Sequence, residues 1–162
     1  ATVKYVEKIT GGLSQEVNII DVNNVYINSV LNAKYQEANA NDIIFVLQVN
    51  DLSNIFIHDE DLVVILSNLL NNAISECKRK EKDRKIWLKF VDEENLTIIS
   101  VKNTCLLSSG SENKILRTIK SNNIRHGFGI SNIKDIVLKY NGSCIIKHID
   151  YLYSFTIIIP HD

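Results

Sequence analysis

The stretch DLVVILSNLLNNAISEC, residues 61–77, carries the strongest helical period in the chain. Leu62, Leu66, Leu69, Ala73 and Cys77 recur at spacings of three and four, so an α-helix gathers them on one side. Asp59 to Asp61 precede them, where a helix start presents unpaired N–H groups and a positive dipole end, and the helix is predicted to run to about Arg79. Asn68, Asn71 and Asn72 sit inside it, although the Asn amide competes for backbone hydrogen bonds and disfavours helix interiors. Asn68, Asn72, Ser75 and Arg79 follow i, i+4, i+7, i+11, which predicts one polar stripe opposite the leucines. Two readings of that stripe stand. Two carboxamide oxygens one turn apart suit a hard cation such as Mg2+, which takes few protein oxygens and completes its shell with water and phosphate. Alternatively it is a solvated helix face in a chain with 19 Asn among 162 residues.

Outward from that helix, Asp21 is predicted to cap a helix from about Val22 to Ala38, with Ile27, Leu31, Tyr35 and Ala38 on one face. Ile43 to Val49 reads as a strand, and Lys85–Val91 and Leu96–Lys102 read as two more joined by DEEN. Residues 104–123, TCLLSSGSENKILRTIKSNN, have no clear period and are expected to form a loop with one helical turn at most. A helix from Ile130 to Tyr140 precedes a closing hairpin of 143–149 and 152–159, ended by Pro160. Residues 1–9 are expected to be the tail of a helix, broken by Gly11-Gly12, so that 1–14 belong to an upstream element and 15–162 to the domain. This order predicts an α+β fold, a two-layer sandwich with helices on one face of a mixed, mostly antiparallel sheet.

Composition removes several classes of function. With 45% hydrophobic and 23% charged residues, the chain suits one domain with a substantial core. Eighteen Lys and Arg against 19 Asp and Glu give no general attraction to nucleic acid or an anionic membrane, and Lys78-Arg79-Lys80 is countered by Glu81 and Asp83. No window approaches the about 18 consecutive apolar residues of a membrane span, so no direct membrane contact is expected. The chain opens on Ala1, and a longer, membrane-bound or multidomain parent is expected. Cys77, Cys105 and Cys144 are odd in number and widely spaced among apolar residues, which predicts buried thiols in a reducing compartment.

The second informative stretch is RHGFGISNIKDIVLKYNG, 125–142. Gly127 and Gly129 lack a Cβ, so the backbone between them can approach a bound group closely. The helix starting at Ile130 offers unpaired N–H groups and a dipole to an anion, with Arg125 and His126 as nearby donors. An ordinary turn before a helix has the same pattern. The pairing of an Asn-bearing helix with a glycine-rich cradle is what points to a phosphate ligand.

These residues resemble a known family. NLLNNAI at 68–74 resembles the N box of the GHKL ATP-binding superfamily, and HGFGI at 126–130 its last glycine box. The fuller resemblance is to the catalytic domain of AgrC-type quorum-sensing histidine kinases, through INSVLNAKYQEANANDI at 27–43, DLVVILSNLLNNAISEC at 61–77, VKNT at 101–104, TIK at 118–120 and HGFGISNIKDIVLKYNG at 126–142. It covers about residues 15–160. It implies a Bergerat fold that binds ATP and Mg2+ and transfers the γ-phosphoryl group to a histidine on a dimerisation domain, with a response regulator downstream, in the cytoplasmic part of a membrane-bound bacterial sensor. On the matching positions, Asn72 would be the Mg2+ ligand and Asn68 would lie near the γ-phosphate. The segment His126, Gly127, Phe128, Gly129 and the Ile130 amide would hold phosphate, and Lys120 would close over it from a lid, unless it is only an exposed loop lysine.

Two departures from the family pattern matter. Where most GHKL proteins carry a DxGxG box, this chain has VKNTCLLSSG, and Asn103 is the candidate for adenine contact through its side-chain oxygen, or else caps a turn. Asn68 stands where ATP-hydrolysing relatives place Glu, and an amide cannot take a proton from water at neutral pH. That favours a kinase. His58, His126, His148 and His161 do not lie mid-helix in a dimerisation pattern, so the phosphoacceptor is expected outside this chain. The alternatives are a degenerate GHKL domain serving as a docking or nucleotide-binding module, and a serine kinase of the anti-sigma-factor type.

Overall fold

The computed structural model describes residues 4–6, 20–106, 114–116 and 128–161. Segment 20–24 leads into α1 (Val25–Ala40), followed by β2 (Ile44–Val49), α2 (Asp59–Lys78), β3 (Lys85–Asp92), β4 (Leu96–Thr104), α3 (Phe128–Lys139), β6 (Ser143–Ile149) and β7 (Leu152–Pro160). Two short strands, β1 (Lys4–Val6) and β5 (Lys114–Leu116), complete a seven-stranded sheet of order β1-β2-β3-β4-β7-β6-β5. Only β2 and β3 pair in parallel, connected through α2, and the other neighbours are antiparallel. This is the predicted α+β sandwich.

Alternation explains the two layers. Phe45, Leu47 and Val49 on β2, Ile86, Leu88 and Phe90 on β3, Ile99 and Val101 on β4, and Phe155, Ile157 and Ile159 on β7 are buried on one sheet face. All three helices pack into the same core: Ile27 and Leu31 from α1, Leu62, Leu66 and Ala73 from α2, and Ile133 and Val137 from α3. The predicted faces of α1 and α2 are the ones buried, and Tyr35 packs edge-on against Phe45 with ring centroids 6.1 Å apart. Full burial of one leucine stabilises by about 1.5–3 kcal/mol, and Leu31, Leu62 and Leu66 are each 0% exposed. Cys77, Cys105 and Cys144 are buried, as expected of small apolar side chains.

The structure corrects four local expectations. The α1 cap is Asn24, whose Oδ1 accepts from the Tyr26 and Ile27 amides at 3.1 Å, while Asp21 binds the Asn23 amide and the Asn28 side chain and shapes the preceding turn. Both are good capping types, and left-handed Asn23 (φ 59°) delays the helix past Val22. Lys4–Val6 form an edge strand antiparallel to β2, where the tail of a helix is predicted. Lys114–Leu116 pair with β6 inside the segment predicted to be loop. A three-residue strand has almost no pattern of its own and exists only because a partner edge is available. Finally, α3 begins at Phe128, two residues before the predicted Ile130.

At the other end of α3, Asn141 adopts φ 56° and the Gly142 amide returns to the Val137 carbonyl at 2.9 Å. This left-handed closure turns the chain sharply into β6. Among the described residues, no helix is long and apolar enough to cross a membrane.

Candidate functional site

A hollow of about 30 Å3 opens between α2 and the β4/β7 pair. Its floor is a block of four sheet residues: Val101 and Asn103 on β4 stand directly opposite Phe155 and Tyr153 on β7. Its wall is one helical face, Leu69, Asn72, Ala73 and Glu76, which follows i, i+3, i+4, i+7. Leu69, Ala73, Val101 and Phe155 make the centre apolar, and Asn72, Glu76, Asn103 and Tyr153 make its rim polar. A water needs about 10–15 Å3 of such volume, so the hollow as it stands receives the edge of a planar group and not a whole ring.

The rim groups have defined hydrogen-bonding senses. Asn103 is 2% exposed and its Nδ2 donates one of its two N–H bonds to the Thr104 carbonyl at 3.0 Å, with Oδ1 as the acceptor of the carboxamide. Burial pushes the Tyr153 phenol up to about 12, with the Glu76 charge adding to the effect, so it keeps its proton at neutral pH. Glu76 is half-buried, and Arg79 Nη1 reaches it at 3.3 Å from the solvent side.

The three α2 asparagines have different surroundings. Asn71 accepts a hydrogen bond from Lys34 of α1 and belongs to the helix–helix contact. Asn72 is exposed on the rim of the hollow, and Asn68, half-buried, lies one turn earlier on the helix and outside the lining. The stripe of Asn68, Asn72, Ser75 and Arg79, predicted opposite the leucines, meets the hollow only at Asn72: Ser75 and Arg79 are exposed, and Glu76, unassigned by sequence, joins Asn72 there. The signal for it was available only in combination, because Glu76 is seven residues from Leu69 and four from Asn72.

Helix α3 packs against α2 with its end at the start of α2, where Lys139 Nζ meets Asp61 Oδ2 at 2.9 Å and the Tyr140 hydroxyl donates to the same oxygen. The strand ends Asp92 and Pro160 lie at this edge, while α2 finishes at the opposite edge, where Cys77 Sγ contacts the Lys85 and Thr104 carbonyls. At about 1.5 Å per residue, the steps from Asp61 to Asn72 and from Lys139 back to Phe128 are of equal length, which brings the first turn of α3 towards the level of Asn72. Phe128 and Gly129 are the first two residues of that helix. Ile130 is buried, so its side chain anchors the core and only its backbone amide is available to a ligand. Lys120, His126 and Gly127 lie outside the described residues.

A wider depression of about 770 Å3 lies at the start of α2, lined by Asp59, Glu60 and Asp61 among others. Its lining also includes His58 and Lys139, the latter paired with Asp61.

Comparisons with known proteins bear on the fold. Residues 57–160 match a family described as the GHKL domain. The chain is similar in structure to the nucleotide-free catalytic domain of histidine kinase ThkA, with TM-score 0.57 and 18% identity over 83% of this chain and 89% of that one. It is also similar to histidine kinase AdeS of Acinetobacter baumannii, with TM-score 0.60 and 14% identity over 99% of this chain and 68% of that one. Full-length ShkA in complex with AMPPNP matches with TM-score 0.58 and 14% identity over 87% of this chain and 30% of that one. A comparison with curated protein sequences finds no match. At these identities the structural matches establish the shared fold.

Proposed function

Because the chain belongs to the GHKL family, we propose that it is the ATP- and Mg2+-binding catalytic domain of a sensor histidine kinase, transferring the γ-phosphoryl group of ATP to a histidine on a dimerisation domain outside this chain. The observation that carries the reading is the meeting of Asn72 and Asn103 at one apolar hollow, with the start of α3 directed to the same region. The AMPPNP complex of ShkA supports a nucleotide as ligand.

The adenine edge enters the hollow, where Asn103 Oδ1 accepts from the exocyclic amine and Leu69, Ala73 and Val101 exclude water from that edge. Asn72, exposed on the rim, presents a neutral hard oxygen, which fits Mg2+, with Asn68 one turn away. Mg2+ held there would supply charge neutralisation to the phosphate oxygens. The amides at the start of α3, Gly129 and Ile130 included, face the phosphate oxygens with the positive end of the helix dipole, and Gly127, His126 and Phe128 complete that cradle. Lys120, outside the described residues, would add a positive charge to the phosphates, as the family resemblance implies. Asn68 does not act as a general base, so transfer to a histidine nitrogen is favoured over transfer to water. The parent is an AgrC-type quorum-sensing kinase anchored in a membrane, with a response regulator receiving the phosphoryl group.

The test is thermal unfolding with and without Mg·ATP. Ligand at about 100 times its Kd raises stability by about 2.7 kcal/mol, and Asn72→Ala is expected to remove most of the shift while melting normally without ligand. An unchanged Mg·ATP shift in the variant refutes the ligand assignment.

A further inference from the structure

The rim of the α2/β4/β7 hollow faces its ligand with acceptors from both walls. Asn103 contributes Oδ1 from the sheet, its Nδ2 giving one of its two N–H bonds to the Thr104 carbonyl at 3.0 Å. Glu76 contributes a carboxylate from the helix, and an ionised carboxylate can only accept. Nothing in the fold requires Glu76: it is half-buried, and its ion pair with Arg79 is an i,i+3 contact at 3.3 Å between side chains 39% and 52% exposed, a kind that contributes little. Its place along the helix is equally informative. Asn72 marks the end of the hollow where phosphate is proposed, and Glu76 lies one turn further from the α2 start, where a negative charge is clear of the phosphates.

We propose that Glu76 is a specificity residue for the nucleobase, its carboxylate and Asn103 Oδ1 together selecting a 6-aminopurine over a purine with a carbonyl at the same position. The inference rests on the hollow being the base seat of the nucleotide site proposed above. An exocyclic NH2 group has two N–H bonds, one for each wall. A carbonyl oxygen in its place sets an acceptor against the Glu76 carboxylate and Asn103 Oδ1, so the two contacts made by the amine are lost in a partly dry site. Tyr153, protonated on the floor, lies directly opposite Asn103 and can donate to the ring nitrogen beside the amine.

ADP and IDP differ by this replacement of amine by carbonyl, so their Mg2+ complexes are the probes, with dissociation constants measured by calorimetry on the full chain. The unsubstituted protein is expected to prefer ADP by at least about tenfold, the worth of one hydrogen bond to a charged group. Glu76→Gln and Glu76→Ala are expected to narrow the ADP/IDP ratio by about the same factor with unchanged melting, whereas Arg79→Ala, which breaks the ion pair outside the hollow, keeps the ratio. An unchanged ratio in both Glu76 variants overturns the specificity role and leaves the nucleotide site standing. Tighter binding of Mg·GDP than of Mg·ADP by the unsubstituted protein also overturns it. Absence of binding by every nucleotide overturns the nucleotide site itself, and this inference with it.

Discussion

Replacing Tyr140 by Phe tests the clamp that joins α3 to α2. The Tyr140 hydroxyl donates to Asp61 Oδ2 and accepts from the His58 amide at 3.1 Å, and Lys139 Nζ reaches the same carboxylate at 2.9 Å. A hydrogen bond to a charged group contributes about 1.5–3 kcal/mol. The Asp61 side chain is 16% exposed, so water replaces part of the lost contact and the expected cost is about 1–2 kcal/mol. For a chain of this length that lowers Tm by about 3–6 °C. The pH dependence has a definite sign. Burial alone raises the Asp61 carboxyl, but the hydrogen bonds from Tyr140 and Lys139 and the Lys139 charge outweigh it and hold it below its ordinary 3.8. A depressed carboxyl stabilises the fold above its unfolded value and loses that contribution as pH falls through the folded one. The difference in Tm between parent and Tyr140→Phe should therefore be full at pH 7 and shrink below about pH 4. Melting followed by circular dichroism across pH 2.5–8 measures both. A variant that melts within a degree of the parent at pH 7, or a difference that persists undiminished into acid, refutes the assignment.

Two further outcomes are expected. At Gly142 an added Cβ lies 2.9 Å from the Ile158 carbonyl oxygen, Ile159 Cγ1 and Val137 Cγ1, two of them core residues, so Gly142→Ala should cost about 1–3 kcal/mol while Mg·ATP still raises the melting temperature of whatever folds; thermal scans of the variant check it. Burial holds the Cys144 thiol up at about 11, so in native protein at pH 8 it should resist a thiolate-selective reagent that labels it on unfolding, read by mass spectrometry of the Cys144 peptide.

The legible parts of the site were those with a local cause. Asn72 announced itself as an amide in a helix interior, Asn103 came from the family resemblance at the place of the missing DxGxG box, and the structure brings both to one hollow. Glu76 did not, because a glutamate on a helix reads as solvated until something is packed beside it. The stripe containing Asn68, Ser75 and Arg79 is a regular helical row, yet the face that meets the sheet is rotated from it towards Leu69 and Ala73.

What the sequence determined by itself was every element whose burial repeats along the chain: the three helices, the long strands and the two-layer arrangement, since periods of 3.6 and 2 are local consequences of backbone geometry. Tertiary structure alone decided the rest. The strands Lys4–Val6 and Lys114–Leu116 owe their conformation to free sheet edges, and Asn103 meets Tyr153 only because β4 and β7 pair across some 50 residues of chain. Glu76 joins them because Leu69 and Ala73, seeking the core, set the rotation of α2 and carry its neighbours onto the rim. Such placements depend on contacts between residues distant in sequence, which no local pattern records.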